Sequence, residues 1–210
     1  DENIKTVIQE FTQITNLNLM EATQKIYEKL TKYISVEQNL GGERKSHTVK
    51  IIDFENLENN EFLITNQFKV AGINQNIIPD IILFVNGLPL AVIECKSPFI
   101  TNPMEAGINQ LLRYCNNRKP EENEGAEKLF HYNQILVSTY NNQARLGTIS
   151  SRYEHYLEWK DVYPKNVEEF KDKSSQEILI EGVFNHKNFL DIIRNFTIFE
   201  VVEGKTIKKI

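Results

Sequence analysis

The chain has 210 residues, a net charge of −5, and 40% hydrophobic and 25% charged residues. This length can bury a sizeable core and predicts one domain, or one domain with an appendage. No apolar run reaches the length of a bilayer and no export signal is recognisable, so we expect a cytoplasmic protein with no membrane partner.

The first 48 residues are predicted to form an N-terminal helical segment. Apolar residues recur there at the spacing of two amphipathic helices. These residues are Ile4, Val7, Ile8, Phe11 and Ile14 in the first helix, and Ala22, Ile26, Tyr27, Leu30 and Tyr33 in the second. Gly41 and Gly42, followed by polar residues 43–46, predict a flexible loop after the helices.

Residues 49–164 are predicted to form the core of the domain, an α/β fold with a mixed sheet flanked by helices. Apolar and β-branched runs predict strands at about 49–54, 62–70, 80–85, 90–96 and 134–139. The last of these runs is apolar on both faces and is expected in the interior of the sheet. Residues 165–210 are predicted as a helical extension, with Asn185 capping a helix at 187–196.

The most informative segment runs from Pro79 to Lys96. It is almost wholly apolar, has Asn86-Gly87 near its middle, and carries Asp80 at one end and Glu94 and Lys96 at the other. Asn-Gly between apolar runs predicts a β-hairpin. Unpaired buried carboxylates are costly, so charges at the base of such a hairpin suggest a function. Two carboxylates with an ammonium group can hold a hard divalent cation beside a scissile phosphate.

Strand parity divides two interpretations of this hairpin. Glu94 and Lys96 share one face of their strand, and Cys95 points to the other face, where it is expected to be a small buried hydrophobic residue. A strict two-residue turn would send Asp80 to the face opposite Glu94. A three-residue loop or a β-bulge near Asn86-Gly87 would bring Asp80 and Glu94 together. A charged edge hairpin without catalytic function needs no such bulge.

A helix is predicted directly after the hairpin. Asn102, Pro103 and Glu105 have the spacing of an N-cap, a first-turn proline and a capping box. The apolar stripe consists of Met104, Ile108, Leu111, Leu112 and Cys115. Gln110 and Tyr114 lie four residues apart and share one face, where they could point at the same site. A surface helix with one amide and one ring would show the same spacing.

The hairpin resembles the PD-(D/E)xK nuclease motif, and in particular the N-terminal endonuclease domain of the restriction (R) subunit of type I restriction-modification enzymes. Flanking segments carry the resemblance over most of the chain, from about Ile52 to the C-terminus. Upstream these are residues 52–56, 59–62 and 66–70 (IDFEN, NNEF, NQFKV), and downstream residues 130–134 and 158–161 (FHYNQ, EWKD). The Gln110–Tyr114 spacing resembles the Gln-x-x-x-Tyr element of nucleases in the same superfamily.

The resemblance implies a magnesium-dependent nuclease site, with Mn²⁺ as an alternative metal. Asp80, Glu94 and the backbone carbonyl of Cys95 would bind the metal, Lys96 would stabilise charge on the attacking water or the phosphate, and Gln110 and Tyr114 would orient DNA or Lys96. The family has a further acidic metal-binding residue on a helix before the sheet. Its candidates are Glu10, Glu21, Glu28 or a residue upstream of this chain.

The resemblance also implies a larger assembly. The chain starts at Asp1 without methionine and is expected to be a fragment that ends before an ATP-driven translocase. Gly204-Lys205-Thr206 lacks the upstream glycine of a P-loop, because Phe199 stands there, so no nucleotide site is predicted. The implied partners are double-stranded DNA and the modification and specificity subunits. A RecB-like repair nuclease and a non-catalytic docking module with the same fold are the alternatives.

The negative net charge predicts that this chain alone binds DNA poorly, because affinity for DNA comes mainly from neutralised phosphates. Positive charge is local, and two clusters are recognisable. They are Arg113, Arg118 and Lys119 beside the Gln110 helix, and Lys205, Lys208 and Lys209 at the end of the chain. Arg145, with Gly147 and Thr148, is predicted to lie in a loop, and the sequence fits a DNA-facing loop and a solvated loop equally well.

Overall fold

A computed structural model describes residues 2–14, 17–40, 42–116 and 124–210. The sequence predictions for Gly41, Arg118 and Lys119 fall outside these ranges. Helices α1 (Glu2–Ile14) and α2 (Leu19–Lys32) open the chain, as their apolar periodicity predicted. Asn18 caps α2 by accepting a hydrogen bond from the Glu21 N–H.

The central sheet has five strands in the order β3-β4-β5-β6-β7. Strands β5 and β6 run parallel and all other neighbours are antiparallel. The strands are β3 (Phe62–Asn66), β4 (Ile81–Val85), β5 (Leu88–Lys96), β6 (Ile135–Tyr140) and β7 (Gln143–Gly147). Helix α3 (Pro103–Tyr114) and the short α4 (Glu127–Phe130) connect β5 to β6. The predicted α/β class with a mixed sheet flanked by helices is therefore confirmed.

Two hydrophobic clusters cover the two faces of this sheet. One contains Ile82, Val92 and Leu136 together with the apolar stripe of α3. The other contains Ala91, Ile135 and Val137 with residues of α2 and of two C-terminal helices, α5 (Ser175–Phe184) and α6 (His186–Asp191). Asn185 caps α6 as predicted, because its side chain accepts from the Asn188 N–H. Among the described helices, none is long and apolar enough to cross a bilayer.

Two hairpins lie outside the central sheet and were not predicted. Strands β1 (Ile34–Leu40) and β2 (Glu43–Val49) form one, so residues 43–46 belong to a strand and not to a flexible loop. Strands β8 (Ile198–Val202) and β9 (Lys205–Lys209) form the other, with Glu203 and Gly204 at positive φ in its turn. Gly204 thus lies in the turn of a hairpin, and Lys205 and Thr206 are the first residues of its second strand, β9.

Several predicted boundaries were wrong for local reasons. Residues 50–54, predicted as part of a strand, do not form one, and Val49 is the last residue of β2. The Asp53 carboxylate accepts from the backbone N–H groups of Glu55 and Asn56 and folds the chain into a turn there. The strand predicted at 62–70 ends at Asn66, because Gln67 has φ 51°. The helix predicted at 187–196 begins at His186, and its last five residues, Ile192–Phe196, form a π-helical turn.

Candidate active site

A β-bulge in β5 sets the register that the site requires. Asn86 and Gly87 have φ values of 50° and 79°, and they form a two-residue turn that pairs Val85 with Leu88. The register then shifts by one residue at Leu90, so that Ile81 pairs with Ile93. Pro89, which has no N–H to donate, stands beside the bulge. The bulge therefore lies within β5, three residues after Gly87, and the next pair of this register is Asp80 with Glu94.

Hydrogen bonds hold the carboxylate of Asp80, the residue directly before β4. Its Oδ2 accepts from the backbone N–H of Cys95 over 2.8 Å, and its Oδ1 accepts from Gln67 Nε2 over 2.8 Å. The Gln67 N–H also donates to the Asp80 carbonyl over 2.9 Å. In the sequence, Gln67 belongs to a segment that carries the family resemblance, and no role was predicted for it. The signal available was a polar residue at the end of the strand that precedes Pro79-Asp80.

Glu94 is a buried carboxylate with two hydrogen bonds to one oxygen and none from the described residues to the other. Its side chain is only 2% exposed, and Oε1 accepts from both Lys96 Nζ and Gln110 Nε2 over 2.6 Å. Oε2 is buried and has no hydrogen-bond partner in the described part of the chain. Burial raises the pKa of Glu94 to about 7; the Lys96 ammonium opposes this increase, and the nearby Asp80 charge adds to it.

Helix α3 completes the site from the other side. Gln110 Oε1 accepts from Lys96 Nζ over 2.6 Å, and its Nε2 also lies 2.7 Å from the Tyr114 hydroxyl, to which it donates. Gln110 therefore links Lys96, Glu94 and Tyr114, and the shared face predicted for Gln110 and Tyr114 is confirmed. Burial, followed by the Glu94 charge, raises the pKa of Tyr114 to about 12, so its hydroxyl stays protonated at neutral pH.

Close packing at Gly107 brings α3 within reach of the strand residues. A Cβ atom on Gly107 would lie 2.2 Å from Ser138 Oγ and 3.4 Å from Lys96 Cγ. Ser138 Oγ in turn donates to the Met104 carbonyl over 3.1 Å. The capping box predicted at Asn102 is absent: Asn102 has φ 50° and its side chain makes no capping bond, although Pro103 does occupy the first helical position.

The prediction for the Cys95 side chain was wrong. Cys95 lies on the face opposite Glu94, as parity requires, but it is exposed. Ala91 and Ile93 on the same face pack in or against the core, whereas Cys95, two residues further on, lies beyond this packing. Its backbone N–H already holds Asp80, and its carbonyl remains the predicted metal-binding atom.

None of the three candidates within the chain, Glu10, Glu21 and Glu28, forms a metal-binding group with Asp80 and Glu94. Glu10 forms an ion pair with Lys29, and Glu28 lies 3.8 Å from Lys32, beside a groove between α1 and α2. Glu21 is exposed at the start of α2. In the described ranges, no three His, Cys, Asp or Glu side chains form a group that could hold a metal ion. Asp80 and Glu94 therefore supply two carboxylates, a number that suits Mg²⁺ when a substrate phosphate completes its shell.

The positive charges noted in the sequence are mostly engaged elsewhere. Arg113 Nε lies 3.1 Å from Glu124 Oε2, and Lys209 pairs with Glu200. Lys208 is 2% exposed and donates to the Asn133 carbonyl and to Gln134 Oε1, and its burial lowers its pKa well below the usual value. Arg145 lies in β7 and not in a loop.

The chain is similar to known proteins over most of its length. The family model for the Type I restriction enzyme R protein N terminus matches residues 1–155. The chain is 36% identical, over 99% of its length and 19% of the relative, to the "Type I restriction enzyme HindI endonuclease subunit" of Haemophilus influenzae. It is 28% identical, over 90% of its length and 19% of the relative, to the "Putative type I restriction enzyme MjaIXP endonuclease subunit" of Methanocaldococcus jannaschii. The chain thus spans about a fifth of the length of these relatives. It belongs to the family of type I restriction enzyme R proteins and corresponds to their N-terminal part.

Proposed function

We propose that this chain is the endonuclease part of a type I restriction enzyme and hydrolyses phosphodiester bonds of double-stranded DNA with the help of Mg²⁺. The observation that carries the proposal is the buried Glu94 carboxylate, whose Oε2 has no hydrogen-bond partner among the described residues while Asp80 stands beside it. A buried, unpaired anionic oxygen is costly, and a bound cation would remove that cost.

The residues present fit a hard divalent cation. Asp80, Glu94 and the Cys95 carbonyl offer only oxygen atoms, which Mg²⁺ and Mn²⁺ prefer. The hydrogen bonds from Gln67 and the Cys95 N–H hold the Asp80 carboxylate in one orientation. The metal, when bound, would polarise the scissile phosphate and lower the pKa of a water molecule.

Lys96 would stabilise the negative charge that develops on the phosphate. The Lys96 side chain is 15% exposed, and its ammonium group is held between Glu94 and Gln110. The charge is therefore positioned before substrate arrives. Gln110 fixes the orientation because its carbonyl oxygen accepts from Lys96 while its amide group donates to Glu94. The Tyr114 hydroxyl supports Gln110 from the side of α3.

Substrate choice and energy supply would belong to other parts of the assembly. The family implies an ATP-driven translocase in the longer protein, a specificity subunit that selects DNA and a modification subunit that methylates it. The names of the relatives support a restriction enzyme over a RecB-like repair nuclease. This activity would protect a cell against foreign DNA.

Metal binding to the chain is the direct test. We expect calorimetry to detect Mn²⁺ or Mg²⁺ binding to the wild-type chain, and at least a tenfold weaker affinity after Asp80→Asn. Asp172→Asn, at an exposed carboxylate away from the site, is the matched control and should bind metal like the wild type. In the assembled enzyme, Glu94→Gln should abolish DNA cleavage. Metal binding that is unchanged by Asp80→Asn, or cleavage that survives Glu94→Gln, would refute the proposal.

A further inference from the structure

A second cavity lies away from Asp80 and Glu94, between the segment after β7 and helices α5 and α6. Its volume is about 230 Å³. Its lining is rich in aromatic and acidic side chains. The aromatic and acidic members are Trp159, Tyr163, Phe196, Asp161 and Asp191, and Gly182, Asn188 and Ile192 complete the wall. Trp159 and Asp161 belong to the EWKD segment of the sequence, which has no role in the proposed nuclease site.

Fixed packing builds this cavity. Asn188 Nδ2 donates to the Gly182 carbonyl over 2.8 Å and also to the Tyr163 carbonyl, so it ties the segment after β7 to α5 and α6. A Cβ atom on Gly182 would lie 1.9 Å from the Asp161 carbonyl oxygen and 2.6 Å from Trp159 Nε1. The absence of a side chain at Gly182 therefore lets the partly buried Trp159 pack against α5.

Each carboxylate of the cavity is oriented by one hydrogen bond. Asp161 Oδ1 accepts from the Tyr163 N–H over 3.0 Å, and Asp191 Oδ1 accepts from Asn195 Nδ2 over 2.6 Å. Both side chains are exposed, and neither forms an ion pair with a Lys, Arg or His of the described ranges. The wall is therefore anionic and has no counter-charge of its own within that part of the chain.

The rings of the cavity also have no cation over them. Elsewhere in the protein, Arg194 lies over Phe54 and Lys165 over Phe170, at 5.4 and 5.7 Å from the ring centroids. No described Lys or Arg occupies the equivalent place over Trp159, Tyr163 or Phe196. Tyr163 and Phe196 are 65% and 59% exposed, which is unusual for large rings grouped around one cavity.

We propose that this cavity binds the guanidinium group of an arginine side chain carried by a partner protein surface. A guanidinium group is planar, stacks on aromatic faces and forms paired hydrogen bonds to carboxylates, and the cavity offers both kinds of group. Arginine is favoured over lysine because the ammonium group is more strongly hydrated and does not stack.

The openness of the site points to an arginine on a protein and not to a free small molecule. Pockets for small ligands enclose most of the ligand surface. Here Tyr163, Phe196 and both carboxylates remain exposed around the cavity and form a rim against which a surrounding protein surface could pack.

The single tryptophan provides the readout. Trp159 is the only tryptophan of the chain, so its indole N–H gives the one indole signal in a nitrogen–proton NMR correlation spectrum. We expect N-acetyl-arginine amide to shift this signal saturably in the millimolar range, because one side chain supplies few contacts. N-acetyl-citrulline amide, which has the same shape without the charge, should leave it unchanged, and N-acetyl-lysine amide should bind at least threefold more weakly.

Variants test whether the carboxylates of the cavity are responsible. Asp161→Asn and Asp191→Asn should each weaken arginine binding about fivefold or more while the remainder of the spectrum stays the same. Asp172→Asn, which removes an equal charge outside the cavity, should not weaken it. No shift with the arginine amide, an equal shift with citrulline or lysine amide, or undiminished binding in both cavity variants would overturn the proposal. This readout does not depend on nuclease activity.

Discussion

Gln110 on helix α3 donates a hydrogen bond to Glu94 on strand β5 over 2.6 Å, so the two elements share one polar network at the candidate active site. The same amide accepts from Lys96 through its oxygen atom. Gln110 therefore contacts both members of the Lys96–Glu94 ion pair and orients them. A residue in this place acts by positioning other groups, and its loss should be felt through them.

Replacing Gln110 by leucine tests this positioning role. In the assembled enzyme we expect Gln110→Leu to lower the rate of DNA cleavage about 10- to 100-fold, the range found for outer partners of metal-binding residues. Among the described residues, Lys96 would lose one of its two hydrogen-bond acceptors, and Glu94 would lose one of its two donors. Glu105→Ala, on the exposed side of the same helix, is the control and should cleave like the wild type. Full activity of Gln110→Leu would show that the network is not needed.

Lys96→Ala separates cleavage from ATP hydrolysis. In the full-length protein assembled with its partners, we expect this variant to lose cleavage while DNA-stimulated ATPase activity stays near the wild-type rate. The reason is that Lys96 would act on the scissile phosphate, whereas no nucleotide site is predicted in these 210 residues. The exposed Lys187→Ala is the control for loss of one positive charge. A parallel loss of ATPase activity would mean that this site couples the two functions.

The convergence of Asp80, Glu94 and Lys96 could be predicted from the sequence because strand parity leaves few choices. Glu94 and Lys96 must share a face, and only a bulge or an odd loop brings Asp80 to it. The position of the bulge at Leu90 could not be predicted, since the turn at Asn86-Gly87 is a regular two-residue turn. The contribution of Gln67 depends on a positive φ that its residue type does not suggest.

The two hairpins outside the sheet were missed because they lack alternation. In β2 the side chains are exposed at six of the seven positions, and in β8 at four of the five, so neither has an apolar face to produce a period of two. In β9 the Lys208 side chain is buried against Asn133 and Gln134, which are distant in sequence. The local sequence signals for these hairpins were Gly41-Gly42 and Glu203-Gly204, and strand alternation did not support them.

Gly107→Ala should impair the site although Gly107 itself carries no catalytic group. The new methyl group would lie 2.2 Å from Ser138 Oγ, 3.2 Å from Ser138 Cβ and 3.4 Å from Lys96 Cγ, so we expect α3 to shift away from β6. We expect a loss of stability of about 1–3 kcal/mol from overpacking and a reduced rate of cleavage as Gln110 moves away from Lys96. Urea unfolding and a cleavage assay measure the two effects. Wild-type values in both would show that the helix has room to accommodate the methyl group.

The raised pKa of Glu94 predicts a pH-dependent stability in the metal-free chain. Because the folded pKa of about 7 exceeds the unfolded value of about 4.5, the folded state holds the proton more tightly, and this stabilisation is lost as pH rises from 4.5 through 7. Glu94→Gln should therefore be more stable than the wild type at pH 8.5, by up to about 3 kcal/mol, and the gain should vanish near pH 4.5. Urea unfolding at the two pH values measures it.

Glu177 supplies a control of opposite sign. Hydrogen bonds from Ser174 and the ion pair with Lys173 lower the pKa of Glu177 to about 2, so its contribution to stability is present above pH 4.5 and is lost as pH falls towards 2. Glu177→Gln should therefore be less stable than the wild type at neutral pH. If Glu94→Gln were less stable than the wild type at pH 8.5, as Glu177→Gln should be, the burial of Glu94 would not raise its pKa as described.

The isolated chain should bind duplex DNA weakly, because its net charge is negative and the positive charges noted in the sequence are partly engaged within the protein. The net charge is −5, Arg113 and Lys209 are paired with carboxylates, and Lys208 is buried. At physiological salt we expect a Kd above about 100 μM, which is a lower affinity than non-specific DNA binders usually have. We also expect the affinity to fall steeply between about 50 and 200 mM KCl. Fluorescence anisotropy with a labelled duplex measures both. In an assembled enzyme other parts would hold the duplex, and this domain would need to contact only the scissile phosphate. Tight, salt-resistant binding by the chain alone would instead favour a self-sufficient nuclease of the repair type.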